Sequence, residues 1–323
     1  MTGVTPRPDV SYFIPVPISF PLIGLVQFTQ FLVAARVSGL SLASFRAKFA
    51  GASGLSQGVA VAASIASIVD DASFIQNACM TIKWLFFAGL RAQQKFPITA
   101  LDPAIVQASL DGEHGTPSPM LTVIGLPAEK LSLHVASANE KSPPDSQIMV
   151  SLHNCPDVFV ITGRPEALYT FLARMKPVEG VRFMRFLQIS APFHNPSLQC
   201  VAEQVCAEDL TNEEVWTVSE LQMAVYNTED GSDLRECSGS LTQSISDQIF
   251  THPLHWIRAT NWPASATHAV DFGPGGANGA GAIAARNFHA QGRSVRFISI
   301  GDRGEGDTEF YSAKKLMLET LDV

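Results

Sequence analysis

The rhythm of apolar and polar positions changes along this chain, and each rhythm predicts a different kind of element. Leu22 to Ser38 is apolar on most sides, with Gln27, Thr29, Gln30 and Arg36 interrupting the run. Pro21 suits the first turn of a helix, so this stretch predicts a helix buried in protein. A membrane span wants about 20 predominantly apolar residues, and the interruptions argue against one. Pro15, Pro17 and Pro21 break the preceding stretch, which lacks the basic start and cleavage site of a secretory leader. Phe45 to Ala52 predicts a short strand despite Arg46 and Lys48, and Val59 to Ala66 a helix of small residues. Ser73 to Lys95 carries Phe74, Ile75, Ala78, Ile82, Leu85, Phe86 and Leu90 at helical spacing, which predicts a long amphipathic helix. Leu101 to Gly115 reads as a shorter helix followed by a polar loop.

After the Gly- and Pro-containing loop Gly112 to Pro119 the elements shorten. Met120–Ile124 predicts a strand, Pro127–Asn139 a helix, and Ile148–His153 a strand. Val158–Thr162 predicts another strand, Pro165–Met175 a helix, and Val181–Ile189 a closing strand. That β-α-β-β-α-β order is the ferredoxin-like pattern and marks 118–190 as a subdomain. Further on, Thr267–Phe272 predicts a strand, Gly273–Gly281 a glycine-rich turn, Ala282–Ala290 a helix, and Val295–Ile300 a last strand.

Composition narrows the function classes. A chain of 323 residues with apolar positions throughout can bury a sizeable core. The net charge is −8 and no basic stripe tracks a phosphate backbone, which argues against nucleic acid as a partner. The 5 cysteines are odd in number and lack Cys-x-x-Cys spacing, so they read as reduced thiols of a cytoplasmic protein. Cys155, beside Asn154, is either a reactive thiol or a buried structural one. His252 and His255 flank Pro253 in a predicted turn, and no Cys, Asp or Glu joins them at ligand spacing, so no metal site is expected. Gly273, Gly275, Gly276 and Gly279 do not fit the Gly-x-Gly-x-x-Gly dinucleotide spacing, and no Walker lysine follows them.

The candidate chemistry lies in two short segments. Gly54-Leu55-Ser56-Gln57-Gly58 is a Gly-x-Ser-x-Gly elbow, able to lift a serine hydroxyl out of a strand-to-helix turn. The motif alone also occurs in ordinary loops. Far downstream, Ala191-Pro192-Phe193-His194 follows a predicted strand and offers an imidazole. Serine is a poor nucleophile until a base sits within hydrogen-bond reach, so the pair proposes acyl transfer or acyl hydrolysis through Ser56.

These segments, with Val16 to Leu25, Leu85 to Arg91, Pro117 to Leu121, Asp230 to Arg235 and Asp271 to Ala277, resemble the starter acyltransferase domain of fungal-type fatty acid synthase β subunits. That domain belongs to the malonyl/acetyl-CoA:acyl-carrier-protein transacylase family. The resemblance implies an α/β fold. Residues 1–117 and 191–323 would form an α/β-hydrolase-like core with a parallel sheet, and 118–190 the inserted ferredoxin-like subdomain. It assigns Ser56 as nucleophile and His194 as base, the latter oriented by a backbone carbonyl, with the Gln57 N–H serving the oxyanion. It places Leu55, Ala88 and Asn154 at the substrate site. Ala88 stands where malonyl-specific transferases carry an arginine, so the expected cargo is acetyl or another uncharged acyl group. The implied partners are a coenzyme A thioester, as substrate rather than resident cofactor, an acyl carrier protein, and other synthase domains. No bound cofactor and no membrane are expected.

Two departures from the family pattern carry expectations. Leu55 replaces the histidine that precedes the serine. The family's Gly-Gln-Gly segment, whose glutamine helps form the oxyanion hole, is not found in this sequence, and neither Gln27 nor Gln30 has flanking glycines. The first strand and one oxyanion donor are then expected to be missing or supplied by a partner chain, with slow turnover by this chain alone. A thioester hydrolase and a non-catalytic assembly fragment are the alternatives.

Overall fold

The computed structural model describes residues 8–211, 213–276 and 279–300. Helix α1 (Val16–Val37) starts ahead of the expected Leu22, with Pro21 inside it. The Pro15 carbonyl accepts from the N–H groups of Ile18 and Ser19, and Val16 N donates to Ser190 Oγ, so the early turn is well satisfied. A proline inside a helix costs about 3 kcal/mol, and burying Val16 and Phe20 offsets that at about 1.5–3 kcal/mol each. By length and composition α1 is apolar enough to cross a membrane. Here it lays Phe20, Phe28, Phe31 and Ala35 into the protein core.

The strand expected over Phe45 to Ala52 is mostly a helix and a turn. Ser41 caps α2 (Leu42–Arg46) by accepting from Ser44 N. Phe45 is buried against Phe31, Phe49 and Phe272, contacts that a helical turn supplies and an extended strand does not. The strand itself, β1 (Gly51–Ser53), is only the last few residues before the elbow. It leads into α3 (Gly58–Ala66) and then α4 (Asp71–Lys95), whose start carries a reciprocal Asp70–Ser73 capping box. A short α5 (Pro103–Asp111) closes this segment.

The next segment forms β2 (Met120–Ile124), α6 (Ala128–Asn139), β3 (Met149–Cys155), β4 (Val158–Thr162), α7 (Pro165–Met175) and β5 (Phe183–Phe186). Its strands run antiparallel in the order β5-β2-β4-β3, the ferredoxin-like arrangement. Period-two alternation splits the sheet. Leu121, Val123, Phe159 and Ile161 pack on α6 and α7, whereas Met120 and Val160 face the rest of the molecule.

The chain then forms α8 (Gln199–Gln204), a π-helical turn over Val205–Asp209, β6 (Ala224–Tyr226), α9 (Leu241–Phe250), β7 (Leu254–His255) and α10 (Trp256–Ala259). It continues with β8 (His268–Asp271), α11 (Ala280–Ala290) and β9 (Arg296–Ser299). Strand β6 runs parallel to β1, and β9 parallel to β8. Among the described residues the core's parallel sheet consists of these two pairs. Strand β7 joins the edge of the insert's sheet, parallel to β3.

Candidate active site

Ser56 sits at φ +52° between β1 and α3. Gly54 makes that turn possible, because a Cβ there would lie 2.0 Å from the carbonyl carbon of Gly58. Gly58 itself has room, with the nearest atom, Gln27 Nε2, 3.8 Å from such a Cβ. The elbow therefore needs one of its two glycines on steric grounds.

His194 is also left-handed, at φ +58°, and is fully buried. Its Nε2 lies 2.8 Å from Ser56 Oγ and its Nδ1 lies 3.0 Å from the His252 carbonyl. A carbonyl only accepts, so Nδ1 carries the proton and Nε2 presents a lone pair to the serine hydroxyl. Burial pushes the imidazole down to about 4, against backbone hydrogen bonds that favour its charged form. The ring is thus neutral at physiological pH and ready to accept a proton. His194 N donates to the Ile249 carbonyl and Asn195 N to that of Phe250, which fastens the segment to the end of α9.

At the start of α3, the N–H groups of Gly58, Val59 and Ala60 donate to Leu55, Ser56 and Gln57 carbonyls. The Gln57 N–H has no acceptor among the described residues. It stands at the positive end of the helix, next to the serine, which suits a developing oxyanion. The Gln57 side chain is buried, and its Oε1 has no partner among the described residues. Gln27 donates from Nε2 to the Gly273 carbonyl, and the Gln30 amide N–H groups meet the carbonyls of Phe272 and Ile300. Both glutamines fasten α1 to the turn after β8.

The expected substrate residues fare differently. Asn154 is buried at the end of β3, where the β3–β4 register shifts between His153 and Cys155. Asn287 Nδ2 on α11 donates to its carbonyl at 2.7 Å. Leu55 packs into the cluster of Leu152, Cys155, Trp256 and Ile283 that joins insert to core. Ala88 has 0% exposure and sits in the same core cluster as Phe20, Leu85 and Phe193. Arg91, one turn on, forms a two-pronged pair with Asp209 at 2.8 Å and is fully engaged there. Cys155 is buried and its thiol is pushed up by burial, which suits a structural role. His252 and Glu229 pair on the surface, and His255 stacks on His153. Among the described residues no cluster of ligating side chains could hold a metal.

The contact of His252 with His194 and that of Asn287 with Asn154 have no signal in the sequence. His252 acts through its backbone, and Asn287 is a lone amide in a helix.

The family model described as "Starter unit:ACP transacylase in aflatoxin biosynthesis" matches residues 3–194. Fatty acid synthase subunit beta of Schizosaccharomyces pombe is 38% identical over 305 residues, covering 90% of this chain and 14% of that protein. The subunit beta of Saccharomyces cerevisiae is 34% identical over 324 residues, covering 95% of this chain and 16% of its own length. Fatty acid synthase beta subunit aflB of Emericella nidulans is 33% identical over 296 residues, covering 86% and 14% respectively. The chain thus spans only about a seventh of the length of these relatives. Among solved structures, malonyl-CoA:acyl-carrier-protein transacylase from Helicobacter pylori shares 15% identity at a TM-score of 0.69, covering 98% of this chain and 83% of that one. The acyltransferase domain of an iterative enediyne polyketide synthase matches at a TM-score of 0.62 and 17% identity, covering 95% and 67%. At those identities the likeness speaks for the fold alone. The family match spans more than half of the chain and takes in both Ser56 and His194, so this chain belongs to the starter-unit:ACP transacylase family.

Proposed function

We propose that this chain is a serine acyltransferase that moves an acetyl or other uncharged starter acyl group from coenzyme A to a carrier protein. The observation that carries the reading is the 2.8 Å contact between Ser56 Oγ and a His194 Nε2 whose opposite nitrogen is committed to a carbonyl. As Ser56 Oγ attacks the thioester carbon, its proton passes to His194 Nε2. The oxyanion of the tetrahedral adduct faces the Gln57 N–H. Collapse breaks the C–S bond, and the coenzyme A thiolate takes the proton back from the imidazolium. The phosphopantetheine thiol of an acyl carrier protein then repeats the steps in reverse, leaving Ser56 free and the acyl group on the carrier.

The neutral, apolar surroundings of Ala88 favour an uncharged acyl chain. A malonyl carboxylate placed there would lose its hydration without gaining a cation. Other domains of a cytoplasmic synthase are the natural setting, since the relatives' names are those of synthase subunits.

The test is intact-protein mass after mixing with a panel of acyl-CoAs, followed by addition of carrier protein. The expected result is one acyl adduct per chain, absent in Ser56→Ala, that reappears on the carrier. Loading of Ser56→Ala at the wild-type rate would overturn the assignment. Loss of the adduct to water at the same rate with and without carrier would make the chain a hydrolase.

A further inference from the structure

The backbone of His194 is held in an uncommon left-handed conformation, which persists only where the surroundings over-determine it. On one side, the hydrogen bonds to Ile249, Phe250 and His252 carbonyls fix it to the core. On the other side, Asn195 Nδ2 donates to Thr162 Oγ1 at 3.1 Å, and Thr162 Oγ1 shares a hydrogen bond with Ser151 Oγ. Thr162 and Ser151 belong to the insert and are both 0% exposed. Thr162 lies on the strand face of Val158 and Val160, turned toward the core, and Ser151 is the extra residue where the β3–β4 register shifts between Val150 and Leu152. Asn195 Oδ1 also accepts from Ser197 N, so the amide plane is fixed at both ends.

We infer that the Ser151–Thr162–Asn195 chain is a positioning device through which the insert sets the catalytic geometry of His194. The inference rests on the serine acyltransferase reading above. None of these residues touches the reacting atoms; each acts through the backbone next to the base. The two hydroxyls sit where apolar side chains would otherwise pack a sheet face. Losing one leaves a buried donor or acceptor unpaired, which the next residue along must accommodate by moving.

The test uses Thr162→Val, which keeps the shape and removes the hydroxyl, and Asn195→Ser, which keeps a cap for Ser197 N but cannot reach Thr162. Both, and the double variant, are measured for the acyl-CoA loading rate, KM and reaction of Ser56 with a small fluorophosphonate. A misplaced general base costs about 10- to 100-fold in rate. The expected result is such a loss in kcat and in fluorophosphonate reactivity for each single variant, with KM unchanged and the double variant no worse than either alone. If both variants lower the melting temperature yet react at the wild-type rate well below it, the chain is structural only and the inference falls. Fluorophosphonate labelling that survives at the wild-type rate in Ser56→Ala would sink the underlying serine assignment instead, a separate outcome.

Discussion

Strands β2 to β5 and helices α6 and α7 close a hydrophobic core drawn entirely from residues 121–186, in which each strand pairs with another of the same segment. The elbow region does the opposite. Its strand β1 pairs with β6 some 170 residues away, and Ser56 meets a histidine 138 positions downstream. The insert's packing can be satisfied locally, so its strands, of 4 to 7 residues, join in one continuous sheet. The catalytic region is stitched from short pieces that gain their shape only when distant segments arrive. The two regions then meet along Met120, Leu152 and Cys155 of the insert and Leu254, Trp256 and Ile283 of the core, with Leu55 of the elbow between them. Chemistry lies at that seam, where the regular half can hold parts of the irregular half in place.

The largest expected effect tests whether the chemistry belongs to the irregular half. Ser56→Ala removes acyl loading altogether without loss of stability, and His194→Ala slows loading by at least about 10³-fold, because the hydroxyl loses its proton acceptor. Intact mass and stopped-flow loading measure both. Gly54→Ala comes next. Its methyl group would meet Gly58 at 2.0 Å, so the elbow must distort and loading falls close to background, whereas Gly58→Ala has space and stays active. Equal activity in the two alanine variants would show that the turn is not what presents Ser56.

Acyl choice follows. Without a guanidinium at position 88, malonyl-CoA forgoes a charge-assisted bond worth about 1.5–3 kcal/mol, which corresponds to about 10- to 100-fold slower loading than acetyl-CoA. Competitive labelling with the two thioesters decides it, and equal labelling would require a cation elsewhere in the site.

Leu168→Ala then sharpens the comparison itself. Leu168 is buried in the insert's own core, and truncation costs about 2–5 kcal/mol. If the insert holds itself together, amides of β2 to β5 gain hydrogen exchange while those of α3 and α4 keep their protection. Uniform loss of protection across both regions would show one cooperative unit.

The smallest effects are in pH. Burial takes His194 and His153 from an ordinary 6.5 down to about 4 in the folded chain. Between those values the unfolded state binds more protons than the folded one. Stability is therefore highest above about pH 6.5 and declines as pH falls toward 4. The loading rate, which needs neutral His194, stays level through pH 6.5 and drops only as the fold weakens. A loading limb centred near 6.5 would place an exposed base in the mechanism. Melting curves and loading rates at matched pH separate the two.

Met120–Ile124, Val158–Thr162 and Pro165–Met175 stand where period and flanking residues put them, because each buries one face against partners close in sequence. Phe45 to Ala52 misled, since the aromatic cluster of Phe31, Phe49 and Phe272 draws Phe45 into a helical turn. Helix α1 began early for a similar reason: the Ser190 contact and the burial of Val16 and Phe20 outweigh the prolines. Strands β6 and β7 are too short to announce themselves, as long-range pairing supplies most of their stabilisation.

By itself the sequence determined the order of the insert's elements, the Gly-x-Ser-x-Gly elbow, and Ser56 and His194 as candidates, because alternating burial and turn-forming glycines are local properties, whereas that Gly54 and not Gly58 is the obligatory glycine came from the folded elbow. Only the tertiary structure decided the protonated nitrogen of His194, through the carbonyl of His252, and the closed surroundings of Ala88. It alone joined Asn195 to Thr162 across the seam. A backbone carbonyl carries no side-chain signature, and the filling of a site depends on neighbours that arrive from elsewhere in the chain.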